Sequence, residues 1–101
     1  MKFYTVDFDF VSNCRDFDYY FKSSFKDLKR VLRLNPTFYD PQNYNEITVE
    51  WDLTTDNNIT FIIHDYDAGF MYDDNDVIEW HIETEKEEDS KKIYEFIKNK
   101  L

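Results

Sequence analysis

The sequence predicts an α+β domain in which an antiparallel β-sheet of four to five strands carries two helices on one face, in the order β-α-β-β-β-α. Three observations lead to this class. Apolar and polar residues alternate in residues 2–10 and again between 47 and 83, the period-2 signature of half-buried strands. Apolar residues recur at three- and four-residue steps over residues 15–33 and at the C-terminal end, the signature of amphipathic helices. The strands after residue 46 are separated by turn-rich clusters that suit hairpins rather than by crossover helices.

Strand 1 is expected over 2–10, with Tyr4, Val6, Phe8 and Phe10 on one side and Thr5, Asp7 and Asp9 on the other. Helix 1 is expected at roughly 15–33, where Phe17, Tyr20, Phe21, Ser24, Phe25, Leu28, Val31 and Leu32 form an apolar stripe. Ser12 or Asn13 would cap its start, Asp16 and Asp18 suit its first turns, and Asn35-Pro36 ends it. Its other face would carry Lys22, Lys26, Lys29 and Arg33, read as a solvated face. Residues 35–45 read as a surface loop.

The middle of the chain is β. Ile47, Val49, Trp51 and Leu53 alternate with Thr48, Glu50 and Asp52, and Thr55-Asp56-Asn57-Asn58 turns the chain into the β-branched run Ile59 to His64. After the turn-rich Asp73-Asp74-Asn75-Asp76, the residues Ile78, Trp80 and Ile82 face one way and Glu79, His81 and Glu83 the other. Thr84-Glu85-Lys86-Glu87 has the pattern of a capping box ahead of a C-terminal helix with Ile93, Phe96, Ile97 and Leu101 on its buried stripe.

The chain of 101 residues reads as a single domain, 1–101. Twenty aromatic residues give it enough apolar surface to fold, which a disordered acidic chain lacks. One Gly leaves no glycine-rich loop to cradle a phosphate, and one Cys leaves no intramolecular disulfide framework. No run of about 18 apolar residues crosses a membrane, and acids interrupt the N-terminal stretch, so the expected location is the cytoplasm.

Charge is the most informative feature. The formal net charge is −10, and residues 34–85 contain thirteen acids and no Lys or Arg. Such concentration works against folding through self-repulsion, so it marks a candidate functional surface. On the sheet, Glu50, Asp52, Glu79 and Glu83 would point away from the helices, with His81 among them. Their spacings, about 6.6 Å along a strand and about 4.8 Å between strands, are of the order of phosphate spacings in nucleic acids.

Other chemistries are weaker. Asp65, Asp67, Asp73 and Asp76 fall at positions 1, 3, 9 and 12 of a calcium loop, but Phe70 stands where glycine is needed and the last ligand is Asp rather than Glu. His64, His81, Glu79 and Glu83 are too widely spaced for a metal unless their side chains converge. Cys14 at a helix start would have a lowered pKa, against the simpler reading of inert packing. No hydrolase or nucleophile signature is present, no cofactor is implied, and the chain is not read as an enzyme. Tyr39, Tyr44, Tyr66, Phe70 and Tyr72 beside the acids are the residue types that anchor protein interfaces.

The functional expectation is a small acidic inhibitor that binds a basic nucleic-acid-handling protein and blocks its nucleic-acid site, acting as a DNA or RNA mimic. Two settings suit it equally. One is phage anti-defence, with an anti-CRISPR or anti-restriction protein against a CRISPR effector or restriction nuclease, and the other is toxin immunity. The partner-binding residues would be Glu50, Asp52, Asp65, Asp67, Asp73, Asp74, Asp76, Glu79 and Glu83, with no direct contact to nucleic acid or membrane. The alternatives are a homo-oligomerisation domain, in which the acidic half meets the basic helix of another copy, and a divalent-metal protein using residues 65–76.

Overall fold

A computed structural model of the chain describes residues 1–39, 47–66 and 73–101. The class is α+β, with six strands and two helices among the described residues. The strands are β1 (Phe3–Thr5), β2 (Arg15–Ser24), β3 (Thr37–Phe38), β4 (Val49–Thr55), β5 (Thr60–Asp65) and β6 (Val77–Thr84); the helices are α1 (Phe25–Leu32) and α2 (Glu87–Lys100). All pairings are antiparallel. The sheet runs β1-β4-β5-β6-β2, with β3 beside the first half of β4.

One face of this sheet makes the core. Trp51, Leu53, Phe61, Ile63, Trp80 and Ile82 share that face by register and pack against Leu28 and Leu32 of α1 and Ile93 and Ile97 of α2. Both helices therefore lie on the same side, and each fully buried large apolar side chain contributes roughly 1.5–3 kcal/mol. The Trp51 and Trp80 rings meet edge to face at 5.5 Å. Their indole N–H groups donate to the carbonyls of Leu34 and Ser23, both at 2.9 Å, so neither buried donor is left unpaired.

The helix expected at 15–33 is a strand for its first half. Phe17, Tyr19, Phe21 and Ser23 alternate inward with exposed Asp16, Asp18, Tyr20 and Lys22, and the segment pairs along β6. The aromatic run satisfies both periods. Pairing with the otherwise open edge of β6 selects the extended one, which the aromatic residues also favour. Asp18, at φ 65°, sits where the register slips between Asp16 and Tyr19, and its N–H donates to Asp16 Oδ1 at 2.7 Å. The cap of α1 is accordingly Ser24 rather than Ser12 or Asn13, and its hydroxyl accepts from the Asp27 N–H at 3.1 Å.

The first strand is also shorter than expected. β1 and β2 occupy opposite edges of the sheet, so residues 6–14 have to traverse the strands between them. They do so as a strap containing a 3-10 turn at Phe8–Phe10. The strap lies over the face away from the helices: Val6 N–H donates to Asp52 O, Cys14 Sγ–H donates to Thr60 O, and Val11 is buried outside the helix-side core. Phe8 and Phe10 are left 60% and 62% exposed.

The segment read as a loop at 35–45 contributes β3, and its residues 40–46 lie outside the described ones. The capping box before α2 is arranged differently from expectation. Lys86 is the N-cap residue and makes no side-chain cap, while the Thr84 hydroxyl donates to Lys86 O at 2.6 Å and meets Ser90 Oγ. The β4–β5 hairpin has its turn at 55–59. Thr55 Oγ1 accepts from the N–H groups of Asn57 and Ile59, and Asn58 takes the left-handed conformation, φ 64°, that asparagine tolerates.

Candidate functional site

On the face away from the helices, register places Glu50, His64, His81 and Tyr20 in one row across β4, β5, β6 and β2, and Asp52, Ile62, Glu83 and Asp16 in the next. Four of the nine expected partner-binding residues, Glu50, Asp52, Glu79 and Glu83, are thus gathered on one face. It does not form an even grid of charge.

His64, which is wholly buried, organises the centre of this surface. Its Nδ1 donates to the Asp65 carbonyl at 2.9 Å, and its Nε2 is hydrogen-bonded to Glu83 Oε2 at 2.6 Å. Burial pulls the His64 pKa down, but the hydrogen bonds to Glu83 and Asp65 and the Glu83 charge more than offset this, and the net shift is upward. Glu50 moves the opposite way in charge. Burial, its hydrogen bond with Asp52 and the Asp52 charge push its carboxyl up to about 8, so it is neutral at pH 7. Asp52 Oδ1 is buried with no hydrogen-bond partner among the described residues. Of the three carboxyls Glu50, Asp52 and Glu83, Glu50 holds its proton and Glu83 is hydrogen-bonded to His64.

Above this layer lies an aromatic platform. The His64 and His81 rings stack at 5.8 Å, Tyr66 sets its edge against both at 4.5 and 4.6 Å, and Tyr20 lies 5.7 Å from His81. His81 is flanked by Glu79 at 3.2 Å and Asp16 at 3.7 Å. Tyr39 joins from the β3 side, its hydroxyl pKa raised by burial and by the Glu50 and Asp52 carboxyls. The exposed negative charge of this face therefore sits on its rim, at Asp16 and Glu79, with half-exposed tyrosines between.

The remaining expected residues go elsewhere. Asp65 is fully buried on the helix side, where its carboxylate accepts from the N–H groups of Thr48 and Val49 and from the Thr48 hydroxyl. It fastens the start of β4. Asp73, Asp74 and Asp76 form an exposed turn, closed by Asp76 N–H to Asp73 O and Asp73 N–H to Asp76 Oδ2. That turn lies against α1, where the Lys26 N–H donates to Asp74 O. Asp67 lies outside the described residues, as do Tyr44, Phe70 and Tyr72.

Among the described residues no three His, Cys, Asp or Glu side chains converge as a metal ion requires. Cys14 is not at a helix start. Burial and the Glu85 charge push its thiol up to about 11, which leaves it protonated at neutral pH.

Two further features differ from what the sequence led one to expect. The Phe8 and Phe10 strap was assigned to a strand, although its Asp-Phe-Asp-Phe repeat puts large apolar and acidic residues side by side in a way an exposed ridge also explains. The other is the helix face read as solvated, where Lys26, Lys29 and Arg33, together with Arg30, line a groove of about 760 Å3 along α1. No helix among the described residues is long and apolar enough to cross a membrane. In comparisons with known proteins, the chain matches no family model, no curated protein and no solved structure.

Proposed function

We propose that this protein is a non-enzymatic inhibitor that binds the basic surface of a nucleic-acid-handling enzyme and blocks its nucleic-acid site. The enzyme would be a nuclease, either a CRISPR or restriction effector countered by a phage protein or a toxin countered by an immunity protein. The observation that carries this reading is the run of thirteen acids without one Lys or Arg over residues 34–85. Electrostatic steering by such a surface speeds encounter with a basic partner, and desolvated tyrosines beside the acids supply contact area.

The contact surface is best drawn around the rim of the outer sheet face, at Asp16, Tyr20, Tyr66 and Glu79, with the strap Asp7–Phe10 beside it. Glu50, Asp52 and Glu83 support that face from beneath. Mimicry of nucleic acid in this form depends on a few rim carboxylates around an aromatic platform rather than on a regular lattice of phosphate-like charges.

The test is affinity capture from bacterial lysates at about 50 mM salt, with mass spectrometry and a cleavage assay on whatever nuclease is retained. Asp16→Asn/Glu79→Gln is compared with wild type and with Asp73→Asn/Asp74→Asn. Retention of a basic nuclease whose cleavage is blocked by wild type, with loss by the rim variant, supports the proposal. Capture of no nucleic-acid enzyme, or equal capture by all three proteins, overturns it.

A further inference from the structure

The groove along α1 does not end with the helix. A second groove, of about 740 Å3, shares Arg30, Arg33 and Leu34 with it and adds Lys2 and Lys100 from the two ends of the chain. Six of the twelve Lys and Arg residues of a chain with net charge −10 line this pair of grooves. Among the described lining residues Asp74 is the one carboxylate. Arg30 is the one of these cations within ion-pair distance of a carboxylate among the described residues, Asp27 at 3.8 Å, and both partners are largely exposed. Such a pair is worth little. In a protein with 22 acids, cations kept together with only Asp74 and Asp27 beside them among the described residues favour an external anion, since their mutual repulsion otherwise costs stability.

The surroundings indicate which anion. Phe25 lies in the first groove, and Phe38, 66% exposed, stands 6.0 Å from it, ring centre to ring centre. Phe96 lies in the second. A basic track with aromatic rings at its side is the arrangement that holds single-stranded nucleic acid, with the cations following phosphates and the rings stacking on bases. A second copy of this chain is the other polyanion to consider. Its outer-face acids are spread over a rigid sheet, and Glu50 is neutral and 7% exposed, so they match a continuous groove poorly, whereas a flexible strand follows it.

We propose that the paired grooves along α1 form a binding site for single-stranded nucleic acid. This goes beyond the inhibitor reading and does not depend on it. It replaces the expectation of no direct nucleic-acid contact, which rested on the net charge of the whole chain.

The experiment is fluorescence anisotropy with a labelled 15-nucleotide oligo(dT), using the isolated protein and no enzyme partner. With four to six phosphate contacts, log Kobs should fall with log salt at a slope of about −3 to −4, a loss of roughly 60- to 250-fold between 50 and 200 mM salt. Lys26→Glu/Lys29→Glu and Lys2→Glu/Lys100→Glu should each weaken binding at least about tenfold at 50 mM salt, and Lys26→Arg/Lys29→Arg should retain it. Phe38→Ala should weaken binding without changing the slope. Thermal unfolding by circular dichroism checks that each variant is folded, and Asp16→Asn/Glu79→Gln serves as the outer-face control. No anisotropy change with 100 μM wild-type protein at 50 mM salt overturns the proposal, as does binding unaffected by both charge reversals. Light scattering that shows self-association, lost on reversal of Lys26 and Lys29 while the oligonucleotide remains unbound, assigns the groove to a second copy and also overturns it.

Discussion

Glu50 and His64 face each other across β4 and β5, and their protonation ties the stability of the fold to pH. A carboxyl with a folded pKa of about 8 against an ordinary 4.5 keeps a proton that the unfolded chain releases, so its contribution weakens as pH rises from about 4.5 to about 8. The raised pKa of His64 acts in the same direction. Its stabilisation is complete below its ordinary 6.5 and is lost as pH rises through the higher folded value. Urea unfolding should therefore show a more stable protein at pH 5.5 than at pH 8.5. Glu50→Gln, which keeps a donor for Asp52 without the charge, should flatten that slope. It should raise stability at pH 8.5 by on the order of 2 kcal/mol, given about 1.4 kcal/mol per pKa unit, and change it little at pH 4.5. A wild-type profile that climbs steadily toward alkaline pH would contradict the assignment.

Asp65 is the second residue on which the fold leans. Two backbone N–H groups and a hydroxyl at the start of β4 all donate to its buried carboxylate. Asp65→Ala strands those donors, and a loss of about 3 kcal/mol or more is expected in chemical denaturation. Its acidic neighbours in sequence, Asp73 and Asp74, are exposed, and Asn at either should leave stability within about 0.5 kcal/mol of wild type.

At the scale of elements, the junction between β2 and α1 carries the largest departure from the sequence reading. Residues 15–24 and 25–32 share one apolar stripe when written as a helix, yet the chain changes from strand to helix at Ser24. The stop is local, because Ser24 is extended, at φ −70° and ψ 154°, and its hydroxyl caps the new helix. Ser24→Ala should cost about 1 kcal/mol by urea unfolding, and Ser24→Asp should restore most of it. A neutral alanine variant would mean that pairing with β6 alone sets the boundary. The C-terminal helix, by contrast, was legible because its apolar stripe has no competing period-2 reading, even though its N-terminal cap is built differently.

Among the described residues, cations gather beside α1, with the Asp73–Asp76 turn next to them, and an acidic rim borders the outer sheet face. The cluster of cations is assembled by α1 together with Lys2 and Lys100, from opposite ends of the chain, and the acidic rim by β2, β6 and the strap. A charge of −10 on a body with a 12.7 Å radius of gyration repels itself, and added salt screens that repulsion. Raising NaCl from 20 to 500 mM should raise the melting temperature by a few degrees in calorimetry at pH 7.5. A falling midpoint would show that internal ion pairs outweigh the net repulsion.

The sequence by itself determined the class, the helix-side core and the acidic bias. Trp51, Leu53, Trp80 and Ile82 announce a buried face by alternation, and alternation is a property of neighbours along the chain. It also assigned Glu50, Asp52, Glu79 and Glu83 to one face, since that follows from the same period. Only the tertiary structure decided that Glu50 is buried beside Asp52 and holds its proton, and that His64 is brought opposite Glu50 by strand pairing and against Glu83 on the neighbouring strand. Only it decided that residues 15–24 are a strand, through a partner more than fifty residues away, and that Phe8 and Phe10 cross the sheet instead of joining it. The basic grooves are divided between the two kinds: Lys26, Lys29 and Arg33 share a face by their spacing along the helix, whereas Lys2 and Lys100 join them only because both ends of the chain come to rest beside α1.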